Sequence, residues 1–145
     1  MSFRSLLLAA LCTATTMAVD TQQAEANYYS TYVYYPASGY YYCYYYYKPR
    51  PTYTGYRSHH CYYYPSYSTQ YIYFYNPYSR VYWGRYDLKA KGYSLLAEKD
   101  RKSELKDIPN EAFPEPDKMP LIPEVKDGKE RMATPPAPPK SKPNS

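Results

Sequence analysis

Cys43, His59, His60 and Cys61 are the residues of this chain best equipped for chemistry. Two imidazoles and two thiolates make a tetrahedral set for an ion such as zinc. Their spacing argues against it. There is neither a C-x-x-C pair nor a histidine pair at helical spacing, and adjacent histidines on extended backbone point to opposite faces. A cysteine beside a histidine can be an activated nucleophile, but the surrounding low-complexity tract offers no frame for a third group. In an oxidising compartment the simplest chemistry is a disulfide, Cys43–Cys61. In a chain-entropy picture, closing a loop of this length stabilises by about 3 kcal/mol. There is no phosphate-cradling glycine loop and no dinucleotide fingerprint, so no cofactor is expected. Paired carboxylates occur only in the proline-broken C-terminal part, where plain solvation accounts for them. The chain is therefore read as non-enzymatic, with no catalytic residue and no metal ligand assigned.

Aromatic groups offer a different chemistry. Trp83 is the sole tryptophan, and Tyr73, Tyr75 and Tyr82 lie close to it in sequence. Together they could present an aromatic surface able to stack on sugar rings; the plainer reading, with so few aliphatic residues, is that these rings are the core of a small domain. All 25 tyrosines fall between Tyr28 and Tyr93, and no Asp or Glu occurs from Ala26 to Tyr86. That block carries Lys48, Arg50, Arg57, Arg80 and Arg85, so the net charge of +5 resides there. Such a field favours an anionic surface or an acidic polysaccharide. Phenols also stack on one another and accept cations over their faces, so self-association is a further expectation. Tyrosine with scattered arginine can bind single-stranded nucleic acid, but an export signal and the absence of RNP-like wording argue against it.

The elements that must position these groups are read as follows. Residues 1–26 have the order of a signal peptide: Arg4, an apolar run Leu6 to Leu11, and Ala24-Glu25-Ala26, with cleavage after Ala26. The apolar run is far below the roughly 18 residues of a membrane span, so the mature chain is not expected to span a membrane. Residues 27–67 are a tyrosine-rich tract. A strand with one residue type on both faces has no preferred register, so this tract is expected to be extended or disordered. Residues 68–97 carry the strongest local pattern. Tyr71 to Tyr75 and Val81 to Tyr86 read as strands joined by an Asn76-Pro77 turn, with Gly92 to Leu96 as a third strand. Residues 98–108 are charged, with helical composition. Residues 109–145 are proline-rich and read as a disordered tail. The fold class expected is thus mostly disordered low complexity with a small all-β element, a hairpin or three-stranded meander, and a short helix after it.

The wording from residue 82 is more specific. Tyr82-Trp83-Gly84-Arg85-Tyr86-Asp87-Leu88 is followed by Tyr93-Ser94-Leu95-Leu96-Ala97-Glu98, then Ile108-Pro109, Ala112-Phe113-Pro114 and Met119-Pro120. This resembles a family of small secreted, tyrosine- or proline-rich proteins of planctomycete bacteria with no established activity. The resemblance covers residues 82–123 and implies an exported bacterial protein, with no site residue to carry over. The function expected is a structural or adhesive role at the cell envelope. The alternative is a polysaccharide-binding module centred on Trp83.

Overall fold

A computed structural model describes residues 28–125 and 128–140. The expected signal peptide and its expected cut after Ala26 lie outside the described residues. The strands are β1 Tyr28–Tyr29, β2 Val33–Tyr35, β3 Tyr40–Tyr47, β4 Arg57–Tyr63, β5 Tyr71–Asn76, β6 Val81–Asp87 and β7 Gly92–Leu95. They form one 7-stranded antiparallel sheet in the order β1-β3-β4-β5-β6-β7, with β2 also pairing with β3. This corrects the expectation of a mostly disordered chain. The hairpin read at residues 71–86 is present, but as β5 and β6 of a sheet that includes the tyrosine tract.

The turns explain how the chain finds this meander. In each of several connections a backbone N–H donates to the carbonyl four residues earlier: Gly39 to Tyr35 (2.9 Å), Ser68 to Tyr64 (2.9 Å), Arg80 to Asn76 (2.8 Å) and Lys91 to Asp87 (2.8 Å). Proline follows the accepting residue at Pro36, Pro65 and Pro77, where its fixed φ starts the turn. The last turn residue is left-handed at Gly39, Arg80 and Lys91. Asn76 Oδ1 and Asp87 Oδ1 accept from the turn N–H groups of Tyr78 and of Lys89 and Ala90. Burial alone would raise the Asp87 carboxyl. The Ala90 N–H, the Gln70 amide, the Lys89 N–H and the Arg85 charge outweigh it and hold its pKa below the usual range.

Register is not free, contrary to the sequence reading. Along β3 the inward residues are Tyr41, Cys43, Tyr45 and Tyr47, all buried, while Tyr40, Tyr42, Tyr44 and Tyr46 are half-buried on the other side. One row across the sheet runs Cys43, Cys61, Phe74, Gly84, Leu95. Small side chains sit beside a large one in that row. A one-residue slip of β3 would put a tyrosine ring where Cys43 fits, so the cysteines and the glycine specify what the tyrosines cannot. The sheet also curls. Tyr29 and Phe74 are three strands apart, about 14 Å in a flat sheet, yet their ring centroids are 6.5 Å apart.

Both faces are covered in part by the C-terminal half. On the concave side Ile122 and Met132 are buried against the tyrosines, with Met119 and Val125 beside them. Tyr29 and Tyr32 donate to the carbonyls of Ala133 (2.7 Å) and Pro136 (2.9 Å). On the convex side Leu96, Ile108 and Phe113 pack over Tyr73 and Tyr82. Arg85 is buried there, 3.7 Å from the Tyr71 ring and 4.1 Å from that of Phe113. The expected helix at 98–108 is replaced by 3-10 turns at Glu98–Asp100 and Leu105–Asp107. The chain there wraps the sheet, and the Lys102 carbonyl accepts from the Tyr82 N–H (2.8 Å). The prolines of the tail exclude regular ladders but not order: Ile122 and Met132 dock as side chains, and the carbonyls meet phenols. The apolar cover missing from the tyrosine tract thus comes from a segment read as a disordered spacer.

Candidate functional site

Strand alternation makes a ladder of rings on the convex face of β3. Tyr40 to Tyr42 is 6.4 Å between centroids, Tyr42 to Tyr44 5.8 Å, and Tyr44 to Tyr46 6.0 Å. Tyr28 stacks on Tyr46 at 4.9 Å, and Tyr56 meets Tyr28 edge-on at 5.6 Å. Lys48 Nζ closes this end, 5.3 Å from the Tyr56 ring. The neighbouring strand adds His60, 5.0 Å from Tyr44, and Tyr62, 5.7 Å from Tyr40. Tyr75 stacks on His60 at 5.9 Å. Every ring on β3 and β4 here is half-buried, and Tyr62 reaches the cluster of Leu96, Ile108 and Phe113.

The electrostatics are simple. Burial pushes the Tyr40, Tyr46 and Tyr62 phenols up, with neighbouring phenols adding to it. Burial likewise lowers His60. At neutral pH the face is therefore uncharged, rich in hydroxyl donors and acceptors, and bordered by a cation.

The residues expected to form one aromatic surface do not share a face. Tyr73 and Tyr82 lie under Leu96, Ile108 and Phe113, with half-buried Tyr75 beside them. Trp83 packs on the concave side with Phe74 (5.8 Å) and Tyr93 (5.7 Å). Tyr82 and Trp83, though consecutive, thus belong to opposite sides of the sheet. The bulge between Phe74 and Tyr75 leaves that separation intact.

Cys43 and Cys61 are directly opposite each other, buried, and free thiols. The register brings the expected disulfide pair together, here as two unbonded small side chains against Phe74. Burial, with Cys43 adjoining, pushes the Cys61 thiol well up. Both cysteines should resist alkylation in the folded chain and react after denaturation without reductant, as read by peptide mass mapping. Continued protection in denaturant would show a disulfide instead. His59 and His60 face opposite sides of β4, and among the described residues no three His, Cys, Asp or Glu side chains converge on a metal position.

The concave side holds a cavity of about 450 Å³. His59 and Trp83 line it in a perpendicular contact, 5.5 Å between centroids. No local pattern announces it, because the Pro120 to Glu124 segment and Arg131 must fold back to close it. Tyr47 donates to Glu124 Oε2 (2.9 Å), and its oxygen lies 3.3 Å from His59 Nε2. That network makes Nε2–H the donor to Tyr47 and leaves Nδ1 a lone pair. Burial, then Arg57 and His60, lower the His59 pKa to about 3, so the ring is neutral. Neither His59 Nδ1 nor Trp83 Nε1 has a hydrogen-bond partner among the described residues. Glu124 is already neutralised by Arg57 at 3.2 Å.

No family model, curated protein or solved structure matches this chain. Among the described residues no helix is long and apolar enough to cross a membrane.

Proposed function

We propose that this is an exported, non-enzymatic attachment protein that holds an acidic polysaccharide of the cell envelope on its tyrosine ladder. The observation carrying this reading is the uncovered row of rings from Tyr40 to Tyr46, continued by Tyr28 and Tyr56 to Lys48. Extended polymers of polar rings need apolar platforms for the ring faces and hydroxyls for the rims. A tyrosine ladder supplies both, and the absence of acids in the block leaves it open to anionic chains.

Self-assembly is less well supported as the primary role. Pairing at sheet edges is blunted here. One edge is split into the short strands β1 and β2. At the other, Tyr93 exchanges backbone hydrogen bonds with Asp117 (2.6 and 2.9 Å). The tyrosines of β3 are also committed to a specified fold, not to register-free adhesion.

Retention on immobilised pectate or alginate should be lost by about tenfold or more in the Tyr42→Ser, Tyr44→Ser double variant. Tyr67→Ser, an exposed tyrosine outside the ladder, should leave retention intact. Equal retention of the double variant and the parent chain, with both folded by circular dichroism, would sink this reading.

A further inference from the structure

The structure assigns a second binding site to the cavity beside Trp83, for a small molecule that carries both a hydroxyl and a carboxylate. Such a ligand is a uronate sugar or a simple hydroxy acid. The inference does not rest on the tyrosine ladder, which lies on the other face of the sheet.

Four features carry it. First, the residues lining the cavity include a buried acceptor and a buried donor with no partner among the described residues, His59 Nδ1 and Trp83 Nε1. Trp83 is 6% exposed and His59 1%. Leaving such groups unpaired is costly, so a bound group that both donates and accepts, as a hydroxyl does, answers both. Second, the donor and acceptor roles are fixed rather than adaptable. Indole offers only N–H, and the Tyr47–Glu124 bond sets the imidazole tautomer. Third, two guanidinium groups line the same cavity, Arg101 and Arg131. Among the described residues each is tethered by one donor, Arg101 Nε to the Leu96 carbonyl (3.2 Å) and Arg131 Nη1 to that of Met119 (2.7 Å). Each keeps further N–H groups for a planar carboxylate. Glu124 does not cancel them, because Arg57, Tyr47 and Asn76 already engage it. Fourth, the rest of the lining is largely apolar, with Leu95 and Leu121 exposed at 44% and 50%. An apolar wall with a few convergent polar groups is the usual build of a small-molecule site.

The chain has one tryptophan, so its fluorescence reports on this cavity alone. Titration of the full chain with glucuronate should give a saturable change. Glucose, which lacks the carboxylate, and acetate, which lacks the hydroxyls, should bind at least tenfold more weakly. Lactate binding as tightly as glucuronate would assign the site to free hydroxy acids. Lactate weaker by tenfold would assign it to a uronate ring. Arg131→Gln, an exposed position that should fold normally, should abolish the preference for glucuronate over glucose. His59→Phe should weaken both ligands, and the Tyr42→Ser, Tyr44→Ser variant should change neither. Absence of a saturable glucuronate signal, or an Arg131→Gln variant with undiminished preference, would overturn the assignment.

Discussion

Replacing Gly84 with alanine is expected to destabilise the fold by about 3 kcal/mol and to lower the melting temperature by about 10 °C or more. Gly84 sits in the middle of β6, where glycine is ordinarily a weakness. It is required here by space, not by backbone conformation. A Cβ at this position would run into the Tyr93 hydroxyl, lie 2.6 Å from Tyr93 Cε1, and stand 2.7 Å from the Ser94 carbonyl oxygen. The ring cannot retreat, because Tyr93 is itself buried against Phe74 (5.2 Å) and Trp83 (5.7 Å). The carbonyl cannot retreat either, because Ser94 belongs to β7, paired with β6 on this edge. Tyr93→Phe is the matching control. Its hydroxyl is buried with no partner among the described residues, so its removal should be neutral or slightly stabilising. A Gly84→Ala melting temperature within about 2 °C of the parent would show that Tyr93 does not cover Gly84 as described.

The same glycine shows how much of the fold was legible in the sequence. The hairpin at β5 and β6 could be read because Ile72 and Phe74 alternate with tyrosines, and because Asn76-Pro77 announces a turn. The turns of the tyrosine tract left a trace as well. Tyr35-Pro36, Tyr64-Pro65 and Asn76-Pro77, each with a serine soon after, recur at unequal intervals because the strands between them differ in length. What could not be read is which tyrosine faces in. Tyr41 and Tyr42 are the same residue, so the two-residue hydrophobic alternation that marks a half-buried strand is invisible at β3. The information sits in Cys43, Cys61 and Gly84, whose small size sets the register. The cysteines drew attention for their chemistry when their volume was the stronger constraint. The tail was misread for a related reason. Prolines exclude ladders, but Ile122 and Met132 still dock, and carbonyls at Ala133 and Pro136 still accept from phenols. The cavity depends on that return, since Tyr47 and Glu124 are 77 positions apart. Trp83 was singled out for its rarity, but its nominated companions were its neighbours in sequence, whereas Tyr73 and Tyr82 lie on the other face.

Acidification should destabilise this protein well before its carboxylates titrate, because His59 is held neutral. Its folded pKa is about 3, against about 6.5 for an unfolded histidine. Between those values the unfolded chain binds a proton that the folded chain refuses, so stability falls as pH falls. The contribution is intact above pH 6.5, declines from there, and levels off below pH 3. A shift of this size corresponds to about 4–5 kcal/mol in total, of which about 2 kcal/mol is lost between pH 7 and pH 5. Charging the ring would place a cation in a buried site where Arg57 is already near and Glu124 is already engaged. It would also give Nδ1 a proton beside the Trp83 edge. His60 is lowered too, by burial, and acts with the same sign, but it is half-exposed and its share is screened. Asp87 acts only below the ordinary carboxyl range, since its pKa is depressed. Urea unfolding at pH 7, 6 and 5 should therefore show the decline in the parent chain and in His60→Gln. In His59→Gln stability should be lower at pH 7 but nearly flat down to pH 5. A parent chain equally stable at pH 7 and pH 5 would mean that His59 accepts its proton in place, against the burial that holds it neutral.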